Sequence, residues 1–310
     1  MPDQTTATRV VVVGACNLDV VARPRIRPTE ATSNPGTVRM RPGGVGRNIA
    51  ENLARLGTSV ALVSTIGTDP AGAQVLDATR AAGVDVEHVR RTMTATGSYV
   101  ALLDETGELA TAVSDMAATD ELGEADVAAA AHLVAAADMV VLDGNLPVPV
   151  LRAAWALAAE HDVAVVLDPV SVPKANRLAP CLDGSLPLAV LSAGRAELDA
   201  VLRATGLTDP ADLLERDVDV VWERCGAEGS RLHLDEGVVA LSAPEVPPDA
   251  VADVNGAGDA MLAAFCHRLL RGDDEVAAAR YGHVAAALTV SSALTVRPDL
   301  SQALSREGSP

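Results

Sequence analysis

The chain has 310 residues, with 42 Asp+Glu against 24 Lys+Arg, a formal charge of −18, and 49% hydrophobic but only 2% aromatic residues. Acidity of this size repels phosphate backbones and anionic lipid heads, and no local basic patch offsets it, so nucleic acid and membrane surfaces are excluded as partners. The length corresponds to about two units of ~150 residues, or to one larger α/β unit with an embellishment.

The opening residues, MPDQTTATR, contain no basic segment leading into an apolar run, which predicts the absence of an export signal and a cytoplasmic location. Val10–Val13 then reads as a buried strand. Similar β-branched runs recur at Val60–Ile66, Met139–Leu142, Val163–Leu167, Leu188–Leu191 and Val218–Val221. Helical spacing lies between them: Ile49, Ala50, Leu53 and Leu56 before Gly57, then Ala71–Ala82, Glu124–Ala136, Val148–Glu160 and Arg195–Ala204. This alternation predicts an α/β fold, a mostly parallel sheet with helices on both faces.

Two segments break the pattern. Asn17–Met40 is rich in Arg, Pro, Thr and Ser, and Thr92–Val113 holds strand-like Ser98–Leu103 and Leu109–Val113 around the turn Asp104-Glu105-Thr106-Gly107. Together they predict a small β lid, formed by about residues 17–40 and 92–116 and inserted in one domain covering 1–310. The longest stretch without Asp, Glu, Lys or Arg, Tyr281 to Val296, is too short and polar to span a bilayer. The tail after Ser305 is expected to fray.

Four separated cysteines (Cys16, Cys181, Cys225, Cys266) form no Cys-x-x-Cys pair, which argues against a disulfide framework or a thiolate zinc site. The six histidines show no ligand spacing. Neither a G-x-G-x-x-G nor a G-x-x-x-x-G-K-[ST] nucleotide loop occurs, and no G-x-S-x-G elbow. What remains is a set of polar residues where strands end or helices begin.

The strongest is Asp253-Val-Asn255-Gly256-Ala257-Gly258-Asp259 before the apolar run Met261–Leu270. Glycines at a helix start let N–H groups converge on an anion, and a carboxylate in the first turn can take the proton of an attacking hydroxyl, a pairing suited to phosphoryl transfer. A simple glycine turn with an aspartate in the first helical turn explains the same residues. Gly43-Gly44-Val-Gly46-Arg47-Asn48 opens another helix and allows close backbone approach to a small polar ligand, or serves only as a tight turn. Asn17 and Asp19 after Val10–Val13, Asp143-Gly-Asn145, and Asp168-Pro-Val-Ser-Val-Pro-Lys174 lie at strand ends, where open parallel sheets bind ligands. Lys174 is the only lysine beside 23 arginines; its alternative is a solvated surface cation.

Taken together, Asn17-x-Asp19, Gly43-Gly44…Asn48 and Gly256-Ala-Gly-Asp259 resemble the ribokinase (PfkB-type) carbohydrate kinase family from about Val10 to Leu300. Within it, Ser33-Asn-Pro-Gly36, Pro42 to Asn52, Ser98-Tyr99, Ser114-Asp-Met116, Asp168-Pro-Val-Ser171 with Lys174, and Arg297-Pro-Asp-Leu-Ser301 are most similar to pseudouridine kinases. The resemblance implies a ribokinase-like fold with a β lid, and ATP-dependent phosphorylation of a nucleoside 5′-hydroxyl with Mg2+; a monovalent cation stays open. It makes Asp259 the base and Gly256, Ala257 and Gly258 the anion hole, with Asn17, Asp19, Gly43, Gly44 and Asn48 on the ribose. Tyr99, Asp115, Asn145 and Lys174 are assigned more loosely to the substrate or phosphate side. Glu197 is the metal residue, Arg224, Gly226, Gly229 and Asn255 join it on the nucleotide, and the lid offers a homodimer surface.

The nucleotide half departs from the family pattern. Gly194 stands where Asn is usual, Arg224 where a small hydroxyl residue is usual, and Asn255 where Thr is commoner. Another nucleoside or sugar kinase, or a nucleoside-binding homologue without phosphoryl transfer, therefore remain as alternatives.

Overall fold

The computed structural model describes residues 9–307; residues 1–8 of the segment read for an export signal, and 308–310 of the tail, lie outside it. Its strands are β1 (Val10–Val13), β2 (Asn17–Pro24), β3 (Gly36–Gly43), β4 (Val60–Gly67), β5 (Val89–Thr92), β6 (Ser98–Leu103), β7 (Leu109–Asp115), β8 (Met139–Asp143), β9 (Ala164–Asp168), β10 (Leu188–Gly194), β11 (Val218–Arg224), β12 (Ser230–Leu234) and β13 (Gly237–Leu241).

Four consecutive valines cannot put one face in the core and the other in water, and β1 is accordingly buried on both sides of a nine-stranded sheet. The order is β13-β12-β11-β10-β9-β8-β1-β4-β5, parallel from β5 to β11, with β12 and β13 added antiparallel at one edge. Side-chain alternation divides the core: Val11 and Val13 face one layer with Val127, Leu151, Trp155 and Leu198, while Val10 and Val12 face another with Ile49, Leu53, Leu262 and Phe265. From β1 the chain first builds outward through β4 and β5, then returns to β8 on the other side of β1. That reversal opens a crevice at the carboxyl ends of β1 and β8.

The second sheet, β3-β2-β6-β7, is the expected lid. Register places Val20, Met40, Val100 and Val113 in one row and Asp19, Arg41, Tyr99 and Ser114 in the next, so one face is apolar and the other polar. Met40, Val100 and Val113 are exposed.

Several boundaries differ from the sequence reading. The strands run past their last apolar residues to Asp143, Asp168, Gly194 and Arg224, because the backbone ladder continues where hydrophobicity stops. Glu124–Ala136 is two helices, Glu124–Ala129 and Ala131–Ala136, broken where the Ala130 N–H is shared between the Asp126 and Val127 carbonyls. The tail is helical from Leu300 to Glu307, so Arg306 and Glu307 still belong to the helix, because Leu300 and Leu304 pack with Leu56. Among the described residues no helix is long and apolar enough to cross a membrane.

Candidate active site

Asp143 ends β8 fully buried at the reversal in strand order. Its Oδ2 accepts from Ala15 N at 2.8 Å and Gly46 N at 2.7 Å, and its Oδ1 accepts from both the backbone N and the Nδ2 of Asn145 at 2.6 Å. Burial raises the carboxyl above its ordinary range, and the Asn145, Ala15 and Gly46 donors act against that rise. One carboxylate thus ties the end of β1, the end of β8 and the start of helix Val45–Arg55. The approach is close: a Cβ on Gly46 would stand 2.7 Å from Gly14 Cα, and Gly44 opens the helix at φ 97, a conformation glycine adopts without strain.

Helix Val45–Arg55 carries Asn48 inward, where its Nδ2 donates to Asp259 Oδ2 at 2.8 Å. Asn48 Oδ1 is buried without a hydrogen-bond partner among the described residues. Asp259 lies in the first turn of helix Ala257–Leu269, whose N-cap Gly256 has φ 77. Burial pushes its carboxyl up to about 7; the Asn48 hydrogen bond opposes this, the Asp168 charge adds to it and Arg224 lowers it. A buried carboxyl poised near neutrality beside the N–H groups of a helix start can accept a proton while those groups hold an anion.

On the lid side, Asn17 Nδ2 donates to Asp19 Oδ1 at 2.8 Å. The Asp19 carboxylate fills the space over Gly43 where any side chain would stand. Burial raises Asp19, against the Asn17 hydrogen bond and the Arg47 charge. Tyr99 is the in-register neighbour of Asp19 and shares its face. Asp115 pairs with Ser98 on the alternate face, is exposed, and accepts from Ala117 N at 3.1 Å, so it is not brought to this cluster. Lys174 Nζ donates to Asn145 Oδ1, and burial lowers its pKa against the attraction of Asp143. Lys174 is therefore a half-buried part of the rim and not a freely solvated cation.

The nucleotide half is filled differently from the sequence expectation. The Glu197 carboxylate occupies the space beside Gly194 where a side chain would project, so an amide at position 194 would have to displace the end of that side chain. Gly194 and Arg224 are in-register neighbours on β10 and β11, and Arg224 Nη2 lies 3.0 Å from Asp168 Oδ2. Gly226 and Gly229, at φ 59 and 106, bound the short turn between β11 and β12. Asn255 is exposed and folds onto Asp253, donating from its backbone N and Nδ2 to Oδ1 at 2.9 and 2.8 Å.

Among the described residues no three His, Cys, Asp or Glu side chains form a metal cage. The half-buried Glu197 suits a Mg2+ carried by nucleotide phosphates, which needs few protein ligands. The sequence reading named Asp143 and Asp168 only as strand ends; their roles, as clamp on the glycine turn and as partner of Arg224, depend on contacts across more than 50 residues. Their signal was an acid directly after an apolar run, without which neither strand would end in a buried charge.

The pfkB family carbohydrate kinase model matches residues 7–302. A pseudouridine kinase of Escherichia coli is 31% identical over 94% of this chain and 93% of its own length. A Bacillus subtilis ribokinase is 27% identical over 91% and 93%, respectively. A carbohydrate kinase structure from Agrobacterium tumefaciens superposes with a TM-score of 0.82 at 28% identity, covering 96% of each chain.

Asp259 generates two linked expectations. If it must be ionised to act, turnover rises with pH through an apparent pKa near 7. Because its folded-state pKa exceeds the ordinary aspartate value of 3.8, the folded chain holds a proton that the unfolded chain releases, so this group's contribution to stability falls as pH rises from about 4 to 7. Asp259→Asn should remove the turnover with acceptor affinity kept within a few fold, and flatten that part of the stability profile. Retained turnover in Asp259→Asn, measured by a coupled assay, contradicts the assignment.

Proposed function

Because the chain belongs to the pfkB family of carbohydrate kinases, phosphotransferases with an alcohol group as acceptor, we propose that it phosphorylates the 5′-hydroxyl of pseudouridine from ATP. The observation that carries the reaction is the buried Asp259 carboxyl, tuned toward neutrality and bonded to Asn48 at a glycine-rich helix start. Full-length similarity to the Escherichia coli pseudouridine kinase supports the choice of acceptor.

In this reading Asn17, Asp19 and Asn48 bind the ribose hydroxyls, with the backbone of Gly43 and Gly44 passing close beneath. The unpartnered Asn48 Oδ1 accepts from one of those hydroxyls. Asp259 takes the proton of the 5′-hydroxyl as its oxygen bonds to the γ-phosphorus, and the bond to the bridging oxygen of the leaving diphosphate breaks. The amides of Gly256, Ala257 and Gly258 hold the phosphoryl oxygens. Mg2+, bound through the phosphates and Glu197, would neutralise charge on the nucleotide. Asn145 and Lys174 orient the base edge, Tyr99 lines the lid, and Gly226, Gly229 and Asn255 border the nucleotide. Free cysteines suit a reducing cytoplasm.

A second reading, another nucleoside or sugar kinase, is favoured by one observation: the polar groups gathered around Asp259 address hydroxyls, which ribose alone also carries. A coupled kinase assay with pseudouridine, uridine, ribose and fructose separates the two. Pseudouridine should give the highest kcat/KM, and a preference for free ribose would replace the proposal with the second reading. Asp19→Ala should weaken nucleoside binding by about 10- to 100-fold, the loss of a hydrogen bond to a charged acceptor; calorimetry showing unchanged affinity would move the acceptor site elsewhere.

The exposed apolar face of the small sheet is the surface on which a second copy would dock. Light scattering should give a dimer mass that Val113→Glu reduces to the monomer; a wild-type monomer at micromolar concentration rejects this.

A further inference from the structure

Arg224 ends β11 opposite Gly194, and its guanidinium spans three neighbouring structural elements. Its Nη2 lies 3.0 Å from Asp168 Oδ2 at the end of β9 and donates to the Ser192 carbonyl of β10 at 3.4 Å. Its Nη1 stands 3.0 Å from the point a Cβ on Gly258 would occupy, against the start of helix Ala257–Leu269. Only 15% of the Arg224 side chain and 4% of the Asp168 side chain are exposed, so water screens the pair weakly.

Asp168 is itself held fast. Its Oδ1 accepts from Val170 N at 2.8 Å, in a turn that keeps Val170 at φ 69, a conformation a β-branched residue takes only when its surroundings impose it. The buried Ser192 Oγ, on the residue whose carbonyl Arg224 contacts, finds no hydrogen-bond partner among the described residues. A cation thus leans from a fixed anion toward the glycine-rich helix start. The guanidinium has five N–H donors in a planar fork, so it can bind a second anion without leaving the first.

We propose that Arg224 orients the transferring phosphoryl group, keeping Nη2 on Asp168 while Nη1 donates to a γ-phosphate oxygen seated on the Gly256–Gly258 amides. This rests on the kinase reading above and adds to it a charged donor from the sheet, facing the amides from the opposite side. Arg224 undergoes no covalent change; charge that gathers on the phosphoryl oxygens as the bond to the leaving diphosphate breaks is met by its fixed positive charge. A side chain at Gly194 would meet the Glu197 carboxylate.

The test is calorimetric binding of Mg-ADP and of a non-hydrolysable Mg-ATP analogue to Arg224→Gln, without acceptor, followed by steady-state turnover. Affinity for the triphosphate analogue should fall about tenfold or more while that for ADP stays within twofold. Turnover should fall about 100- to 1000-fold, the range for removing one donor from an anion hole, with nucleoside KM little changed. Arg224→Lys should recover part of the turnover, since it restores charge but not the fork. Undiminished or improved triphosphate binding would make Arg224 a plug, and equal loss of ADP and the analogue would make it structural; either overturns the proposal, as does a wild-type chain that binds no triphosphate.

Should Arg224→Gln unfold because Asp168 is left buried and unpaired, Arg224→Gln with Asp168→Asn removes both charges and should show the same selective loss. Binding is measured without acceptor, so a wild-type chain that binds the analogue but phosphorylates none of the tested acceptors refutes the function reading while leaving the Arg224 comparison decisive.

Discussion

The arrangement depends on one buried carboxylate. Asp143 accepts hydrogen bonds from Ala15, Gly46 and twice from Asn145, and so joins the end of β1, the end of β8 and the first turn of helix Val45–Arg55. A buried charge without partners would cost several kcal/mol, on the order of a whole domain's margin of stability, so its donors are fixed as firmly as it is. From that clamp the geometry propagates. The helix it anchors carries Asn48, which holds Asp259 on a different helix, and the Asn145 it orients accepts from Lys174.

Electrostatics follow from the same placement. Asp143 and Asp168 are negative neighbours that, after burial itself, hold Asp259 toward its protonated form, and Arg224 pulls the other way. On the proposed kinase reading, a protein with a formal charge of −18 must still admit an anionic nucleotide. On that reading the glycine-rich start of helix Ala257–Leu269 and the Arg224 guanidinium would supply the local positive field, close enough to act where the overall charge is screened by salt.

Much of this was legible in the sequence. Valine runs identify buried strands because no other element buries both faces in four residues, and the polar residues just beyond them mark the binding rim of a parallel sheet. Glycine pairs announce turns with close backbone approach. What escaped depends on register and on side chains meeting across the fold. Tyr99 and Asp115 lie on opposite faces of the small sheet, which only the pairing of β6 with β7 reveals. That Glu197 fills the space at Gly194 follows from side-chain direction within a helix turn, which composition does not encode. The β12–β13 hairpin is hard to read because Ser230–Leu234 mixes Arg and His with leucines, one strand in from the edge, so neither periodicity is clean.

The most direct measurement is the acid limb of the kcat–pH profile of Asn48→Ala at saturating nucleoside and ATP. Asn48 lowers the pKa of Asp259 by donating to its carboxylate, so removing that donor should move the limb to higher pH than in the wild type, with turnover recovering in alkaline buffer. A limb that stays in place or moves to lower pH would contradict Asp259, held by Asn48, as the proton acceptor.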